Sequence, residues 1–494
     1  MTKSKIFFWL LIAFIAGIAV ASFLSFGIWA IAAVFISGGS VAAFGALRPA
    51  ERQYLVVAGF AAVACAAGAF WLLRQTHMAS RAFDGPLGRR IELKGMIAGD
   101  PVRRPRSQEL LLERGSGGGA VRIILRPYPE YRYGDRLRVT GTVERDDNRR
   151  GFEMAFPDIA VVATGGGSPV YRMLLGLKHR FSDALSRHLP EPEGSFLTGL
   201  LLGERQNFPE ALRRDLQITG TAHVVALSGY NITIVADALL KLSLLLFVPI
   251  GVAWWVTIAG IGLFTLLTGA TASVVRAAIM GALVVIARRA GRVYHMRNAL
   301  ALAAVAMLIH DPSLLRLDIG FRLSFFATFG LLYLAPPVDG WLERVKVRLF
   351  LFGRDRRMLR EERASSFGPP RISLIRATLV STLAAQLAVL PLIVFYFGRL
   401  SFVAPFANLA ILPLIPLTMF LGFSTGIASL LGDGVGRIAA LASQLPLAYE
   451  LSVIRWFAGL PAASIEIYGL GPVVLVGAYA FIGALVWRRR VRPP

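Results

Sequence analysis

The residues of this chain best suited to chemistry are polar groups set inside long apolar runs. Ala226-Leu-Ser-Gly-Tyr-Asn-Ile-Thr-Ile-Val-Ala-Asp237 is followed by Lys241, and Tyr230, Thr233, Asp237 and Lys241 recur at three- and four-residue spacing. On a helix that spacing makes one stripe. Ser228, Gly229 and Asn231 stand at its start, where Gly229 permits a break. Thr268-Gly-Ala-Thr-Ala-Ser273 is a small, polar break that leads into a span carrying Arg276. Asp318 and Arg322 lie four apart with Ser324 beside them, and Thr378, Thr382 and Gln386 repeat the four-residue step. Asn408 sits between Pro405 and Pro413, which break the helix around it. An ionisable group in lipid is costly and usually faces a cavity or a partner. Asp237 and Lys241 read either as an i, i+4 ion pair or as part of a water-filled lining. Each of the other groups, taken singly, reads equally as helix–helix glue. Together they favour a hydrophilic pathway, and arginines within it suit an anionic passenger.

Catalysis and metal binding are weaker readings. Ser228 with His223 would need a base within hydrogen-bond reach and an oxyanion hole, and residues five apart on a helix lie on different faces. The six histidines, His77, His179, His188, His223, His295 and His310, are scattered, without metal-ligand spacing. No nucleotide-binding loop is recognisable. The expectation is a protein that is not an enzyme and holds no metal or cofactor.

A second candidate surface lies at 89–165. Short alternating runs, such as Gly134-Asp-Arg-Leu-Arg-Val-Thr-Gly-Thr-Val-Glu144, put Leu137, Val139 and Gly141 inward and Arg136 and Arg138 outward. With the Gly-rich turn at 115–119, about five strands predict a small all-β barrel of OB-fold type. Such barrels often bind single-stranded nucleic acid through a basic groove with aromatic platforms. Candidates here are Arg122, Arg126, Arg132, Arg136 and Arg138 around Tyr128, Tyr131 and Tyr133. A spacer domain with merely solvated arginines is the alternative.

The elements that must position these groups follow from composition. The 494 residues are 55% hydrophobic and only 17% charged, against about 25% charged in soluble domains. Lys and Arg number 53 against 30 Asp and Glu, a net charge of +23. One cysteine, Cys65, allows no internal bridge. A soluble enzyme, a disordered tail protein and a disulfide-built domain are excluded. What remains is a polytopic α-helical membrane protein, since a span needs roughly 20 apolar residues.

About 12 spans are expected, near 6–24, 27–47, 54–73, 222–247, 250–269, 272–288, 298–310, 319–335, 374–397, 402–422, 424–458 with a break near Asp433 and Arg437, and 469–487. Lys3 and Lys5, the loop with Arg48, Glu51 and Arg52, the run Arg288, Arg289, Arg292 and Arg297, the loop 338–372 with nine Lys or Arg, and the tail Arg488, Arg489, Arg490 and Arg492 then share one side. Basic loops stay cytoplasmic, so both termini are inside, in a bacterial inner membrane, and the β unit is extracytoplasmic. The expected organisation is a three-helix membrane segment at 1–73, the OB-fold-like domain at 74–170, amphipathic membrane-surface helices at 171–221, a channel domain at 222–487 and a basic cytoplasmic tail at 488–494.

Several of these segments, in order, resemble the ComEC family of competence proteins, the inner-membrane DNA-uptake channels. They are Leu197-Thr-Gly-Leu-Leu-Leu-Gly-Glu-Arg205, Thr219-Gly-Thr-Ala-His-Val-Val-Ala-Leu-Ser228-Gly229, Leu267-Thr-Gly-Ala-Thr-Ala-Ser-Val-Val-Arg276, Asp318-Ile-Gly-Phe-Arg-Leu-Ser-Phe-Phe-Ala-Thr328, Leu390-Pro391, Phe397-Gly-Arg399-Leu and Pro405-Phe-Ala-Asn408. Asn231 stands where the family usually has His, and Arg322 where it usually has Gln. The resemblance covers about 80–425. It implies a channel passing single-stranded DNA into the cytoplasm during natural transformation. The expected lining is Ser228, Gly229, Tyr230, Asn231, Thr233, Asp237, Ser273, Arg276, Asp318, Arg322, Gln386, Arg399 and Asn408. A periplasmic DNA receptor and a cytoplasmic helicase-like ATPase are implied as partners, besides membrane lipid. The metallo-β-lactamase-like domain that many members carry has no counterpart before Pro494, so a nuclease, if one acts, is expected as a separate chain. A transporter of another polyanion or solute, or a non-conducting scaffold, is the alternative.

Overall fold

The computed structural model describes residues 2–24, 27–47, 52–80, 87–104, 106–114, 119–146, 151–351, 374–467, 469 and 471–491. Most of the 115–119 turn, Arg48, Glu51, residues 352–372 of the basic loop and the last residues of the tail lie outside these.

Helices α1 (Lys3–Phe23), α2 (Ile28–Leu47) and α3 (Arg52–Ser80) open the chain and pack on one another. Lipid supplies no hydrophobic drive between helices, so small residues and close backbones must do so. A Cβ on Gly17 would stand 1.9 Å from the Cys65 carbonyl oxygen, and one on Gly68 would stand 2.2 Å from that of Phe14. Gly17→Val is therefore expected to separate α1 from α3 and cost about 1–3 kcal/mol or more, the usual toll of overpacking. A lower thermal midpoint of the full chain in detergent, with Gly39→Val as the open-space control, checks this.

The β unit follows. Its strands are β1 (Arg90–Ile97), β2 (Val102–Arg104), β3 (Ser107–Glu113), β4 (Ala120–Leu125), β5 (Arg136–Thr142), β6 (Glu144–Asp146), β7 (Gly151–Ala155) and β8 (Asp158–Ala163). They pair in the order β6-β7-β4-β3-β1-β5-β8, with β2 on β3. Every pairing is antiparallel except β4 with β7. Alternation in the sequence puts Leu93, Ile97, Leu110, Leu112, Val121, Ile123, Leu137, Val139 and Met154 into one core. Gly141 also faces inward, where a Cβ would meet Met154 and Pro157 at 2.9 Å.

The rest is helical: α4 (Pro169–His188), α5 (Glu193–Leu202), α6 (Glu210–Ile218), α7 (Ala222–Val225), α8 (Gly229–Leu245), α9 (Ile250–Leu267), α10 (Ala272–Arg289), α11 (Met296–His310), α12 (Leu314–Leu317), α13 (Ile319–Tyr333), α14 (Ala335–Leu351), α15 (Leu374–Phe397), α16 (Ala404–Ile411), α17 (Ile415–Leu431), α18 (Asp433–Ala458) and α19 (Pro472–Val491). Two short strands, β9 (Arg399–Ser401) and β10 (Ser464–Glu466), pair antiparallel.

Five helices, α1, α2, α3, α9 and α15, are long and apolar enough to cross a membrane, or seven if α13 with α14 (bent 50°) and α16 with α17 (bent 52°) each count as one span. The protein is a multi-pass membrane protein. Other segments expected to span are shorter or more charged: α8 has 17 residues, α11 has 15, and α10 carries Arg276, Arg288 and Arg289.

Three expectations need correction. First, the 171–221 stretch does not lie uniformly on a surface. α4 is amphipathic, but every residue of α5 from 194 to 202 is buried. Phe196, Leu197, Leu200 and Leu201 form the centre of the largest core, against Leu185, Leu216, Ile415, Met419, Leu447 and Leu451. Gly422 and Gly426 of α17 admit Leu197 and Phe181 at close range. Second, the helix boundaries within 402–458 fall elsewhere: α16 ends at Ile411, α17 runs from Ile415 through to Leu431, the break expected near Asp433 falls at Gly432, and α18 continues unbroken past Arg437. Third, the polar loop begins late, because residues 338–351 extend helix α14. There Asp339 and Glu343 pair with Arg376 at the start of α15, the Asp339 contact at 2.7 Å.

A buried charge cluster seats the β unit on the helices. Lys178 of α4 is 7% exposed, and its Nζ lies 2.8 Å from Asp100 Oδ2, just after β1, and 3.1 Å from Glu204 Oε1, just after α5. His179 reaches the other Asp100 oxygen at 3.1 Å, and Ser182 donates to Glu204 Oε2 at 2.9 Å. Burial alone would raise the Asp100 carboxyl, but the His179 hydrogen bond and the Lys178 ammonium outweigh it and hold it down at about 2. Burial works against the Lys178 charge as well, yet Asp100 and Glu204 push its value up.

Candidate polar site at the start of α8

The break before α8 creates the site. Ser228 takes the N-cap position in extended backbone, but its side chain does not cap the helix. Its Oγ donates instead to Asn231 Oδ1 at 3.2 Å, and Asn231 Nδ2 donates to the Leu200 carbonyl at 3.2 Å, anchoring α8 to the buried α5. The first N–H groups of a helix have no carbonyl one turn behind them, so those of Gly229, Tyr230 and Asn231 are left without an intrahelical acceptor.

Arg276, in the second turn of α10, comes to this place. It is 8% exposed. Its Nε donates to Ser324 Oγ at 2.7 Å and its Nη1 to Thr328 Oγ1 at 2.6 Å, both on α13. Nη1 also lies 3.7 Å from Met280 Sδ, and the guanidinium carbon is 5.8 Å from the Phe325 ring centre. Its other nitrogen, Nη2, is turned toward Gly229, where a Cβ would stand 3.6 Å away. No carboxylate pairs with Arg276 among the described residues. All its fixed partners are neutral.

The structure thus brings Ser228, Gly229, Asn231 and Arg276 together, and it places the other expected lining residues elsewhere. Asp318 does not pair with Arg322; its Oδ1 accepts the Phe321 N–H at 2.6 Å and caps α13, as a short acid at an N-cap does. Arg322 turns to α15, where Nη1 donates to the Tyr396 hydroxyl at 2.5 Å and the guanidinium stacks 4.6 Å from that ring. Asp237 and Lys241 form the i, i+4 pair at 2.6 Å, both more than half exposed. Tyr230 is exposed, and Thr233 donates back to the Gly229 carbonyl at 2.9 Å. Ser273 is half-buried at the start of α10. Asn408 on α16 and Gln386 on α15 each keep a buried side-chain oxygen with no partner among the described residues. Arg399 belongs to the β9–β10 pair, bonded to Glu466 at 2.6 Å and near Gln217 at 3.5 Å. His223 Nδ1 is 3.0 Å from the Gly220 carbonyl, so neither His223 nor Ser228 has the other as its hydrogen-bond partner.

Glu450 of α18 was absent from the expected lining. It is fully buried, accepts from Thr418 Oγ1 at 2.6 Å, and has a second oxygen with no partner among the described residues. A single acid in an otherwise apolar run was the signal available in the sequence.

On the β unit the expected DNA-facing residues divide. Arg126, Tyr128, Arg132, Arg136 and Arg138 are exposed, with Tyr128 at 77%. Arg138 is also 3.4 Å from Glu92, and Arg122 sits across from Glu153 on β7. Tyr131 is no platform: it is 7% exposed, in the β core. Tyr133 serves the junction with α4, where its hydroxyl accepts the Ser168 N–H at 3.0 Å and its ring meets Tyr171 edge-on at 4.8 Å.

Comparison with known proteins adds the following. The sequence model of one family, described as Competence protein, matches residues 200–492. ComE operon protein 3 of Bacillus subtilis (strain 168) is 24% identical over 306 residues, which is 62% of this chain and 35% of that protein. The chain therefore spans well under two thirds of the length of that relative. No solved structure matches.

Proposed function

The chain belongs to the competence protein family, and from that premise we propose that it is the membrane channel that passes single-stranded DNA into the cytoplasm. A role in DNA uptake for competence follows from the family itself. The observation that carries the finer reading is the uncapped start of α8 beside Arg276, a buried cation with no counter-charge among the described residues. A permanent carboxylate partner would spend that charge; its lack leaves it for a passing anion.

In this reading the β unit is an OB-fold barrel outside the cell. The pairing of β1 with both β3 and β5, and the parallel pairing of β4 with β7, support that assignment. The strand would meet Tyr128 and the exposed arginines around it, which offer stacking and phosphate attraction. It would then pass by the broken helices at 226–229, 268–272 and 411–415. Lys3, Lys5 and the arginines near 288–297 orient both termini toward the cytoplasm of a bacterial inner membrane. The protein acts as a conduit and not as an enzyme: the hydroxyl of Ser228 is engaged by Asn231, away from His223. Work comes from a cytoplasmic helicase-like ATPase or the ion gradient, and donor DNA from a periplasmic receptor. A separate nuclease is a further partner in this reading.

Deleting the gene is expected to abolish transformation while labelled DNA still reaches the periplasm, and the wild-type gene is expected to restore it. Unchanged transformation in the deletion strain would refute DNA import and favour transport of another solute.

A further inference from the structure

The geometry points to a binding site for a single phosphate group at the start of α8, formed by the free N–H groups of Gly229, Tyr230 and Asn231 and by Nη2 of Arg276. This assignment rests on the channel reading for its natural ligand, the phosphodiester of the DNA backbone. The site itself stands on two independent observations. A 17-residue helix presents its positive end with no side-chain cap, although serine, a strong capping residue, holds the N-cap position. Ser228 is instead engaged by Asn231 Oδ1. Separately, Arg276, a residue more than nine-tenths buried, turns one nitrogen toward that end, 3.6 Å from where a Gly229 side chain would begin. Ser324 and Thr328 hold its other two nitrogens and so fix its direction without neutralising it.

Buried charges are normally paired, because desolvation costs several kcal/mol per ion. Here the pairing atom is not supplied by the described protein. An anion set on the helix axis would accept backbone N–H bonds and a charge-assisted bond from Arg276 at once, the combination that recognises phosphate elsewhere. Gly229 contributes by lacking a side chain. Its φ is not positive, and a methyl there would make only ordinary contacts, 3.6 Å to Arg276 and 3.7 Å to Ala277. Glycine is therefore not required for folding at this position, but it is required for an anion to approach. A lipid headgroup carries the same chemistry as the DNA backbone, and the test separates the two.

The test is thermal unfolding of the full chain in uncharged detergent, titrated with inorganic phosphate. Wild type is expected to be stabilised saturably. Arg276→Gln is expected to weaken phosphate binding about tenfold or more. Gly229→Ala, with an unchanged midpoint in the absence of phosphate, is expected to weaken it several-fold, which keeps the test informative if Arg276→Gln fails to fold. A short phosphodiester oligothymidylate should displace phosphate, and its uncharged methylphosphonate counterpart should not. In nanodiscs, replacing phosphatidylcholine by phosphatidylglycerol should leave the phosphate response in place. No saturable response in wild type, or an equal one in Arg276→Gln, overturns the site. Loss of the response in phosphatidylglycerol, with no displacement by the oligonucleotide, overturns the DNA assignment and makes the ligand a lipid. Transformation restored by a protein with no Arg276-dependent response removes the site and leaves the channel reading. The response without any transformation defect on deletion removes the channel reading and leaves the site.

Discussion

Lys178→Met is expected to lower the stability of the full chain by about 3 kcal/mol, near the lower end of the cost of stripping one partner from a buried ion pair. The change leaves the Asp100 and Glu204 carboxylates close together at the junction of the β unit with α4 and α5. His179 and Ser182 still reach them, which is why the loss stays at the low end. Combining Lys178→Met with Asp100→Asn and Glu204→Gln removes the stranded charges and should recover much of the loss. Thermal midpoints in detergent, with protease sensitivity between the β unit and α4, give the readout. A single-variant loss below about 0.5 kcal/mol, the range of an ordinary surface change, would show that the cluster does not seat the β unit.

The same cluster sets a pH window. The Asp100 carboxyl is held down at about 2, so its contribution is present above its unfolded value, about 3.9, and is lost as pH falls from there through about 2. Lys178 is raised, so its contribution is present below its unfolded value and is lost as pH rises through the raised one. Wild type should therefore keep the junction intact from about pH 4 to about pH 10. Lys178→Met should lose less stability than wild type on acidification, because Asp100 then lacks the ammonium that lowers it and protonation relieves the stranded charge.

Arg276→Gln is expected to cut transformation by roughly ten- to a hundredfold, the equivalent of losing one or two hydrogen bonds from a charged group, with membrane levels of the protein unchanged. Arg399→Gln is expected to cut it several-fold at most. In the sequence these are two arginines of the same pathway. In the structure Arg276 is buried among neutral hydroxyls, whereas Arg399 already spends its charge on Glu466 in a partly exposed pair. Exposed pairs contribute little to stability, and a neutralised arginine attracts a phosphate weakly. Equal losses in the two variants would mean that the lone buried cation has no special part in transport.

The amino-acid sequence by itself determined the class of protein and its family. Apolar runs too long for a soluble core, a strongly basic balance and loops of one sign are properties of composition and order, so they are readable without coordinates. The ordered segments from Leu197 to Asn408 carried the resemblance, and strand alternation placed Leu137, Val139 and Gly141 in the β core and Arg136 and Arg138 outside it. Local periodicity reports which face of an element is apolar, and it does so for one element at a time. It did not report what each polar group meets across a gap of many residues. Asp237 with Lys241 was legible because both lie one turn apart on one helix. Arg276 with Ser324 and Thr328, Arg322 with Tyr396, and Lys178 with Asp100 and Glu204 join residues 26 to 78 positions apart. Only the tertiary structure decided that α5, apolar all round, is the centre of a core and not a surface helix, that Tyr131 is buried and Tyr128 is not, and that the charge of Asp318 caps its own helix while that of Arg276 is left without a partner among the described residues. The reason is physical: burial and charge pairing are properties of what surrounds a side chain, and that surrounding is assembled from distant segments by packing.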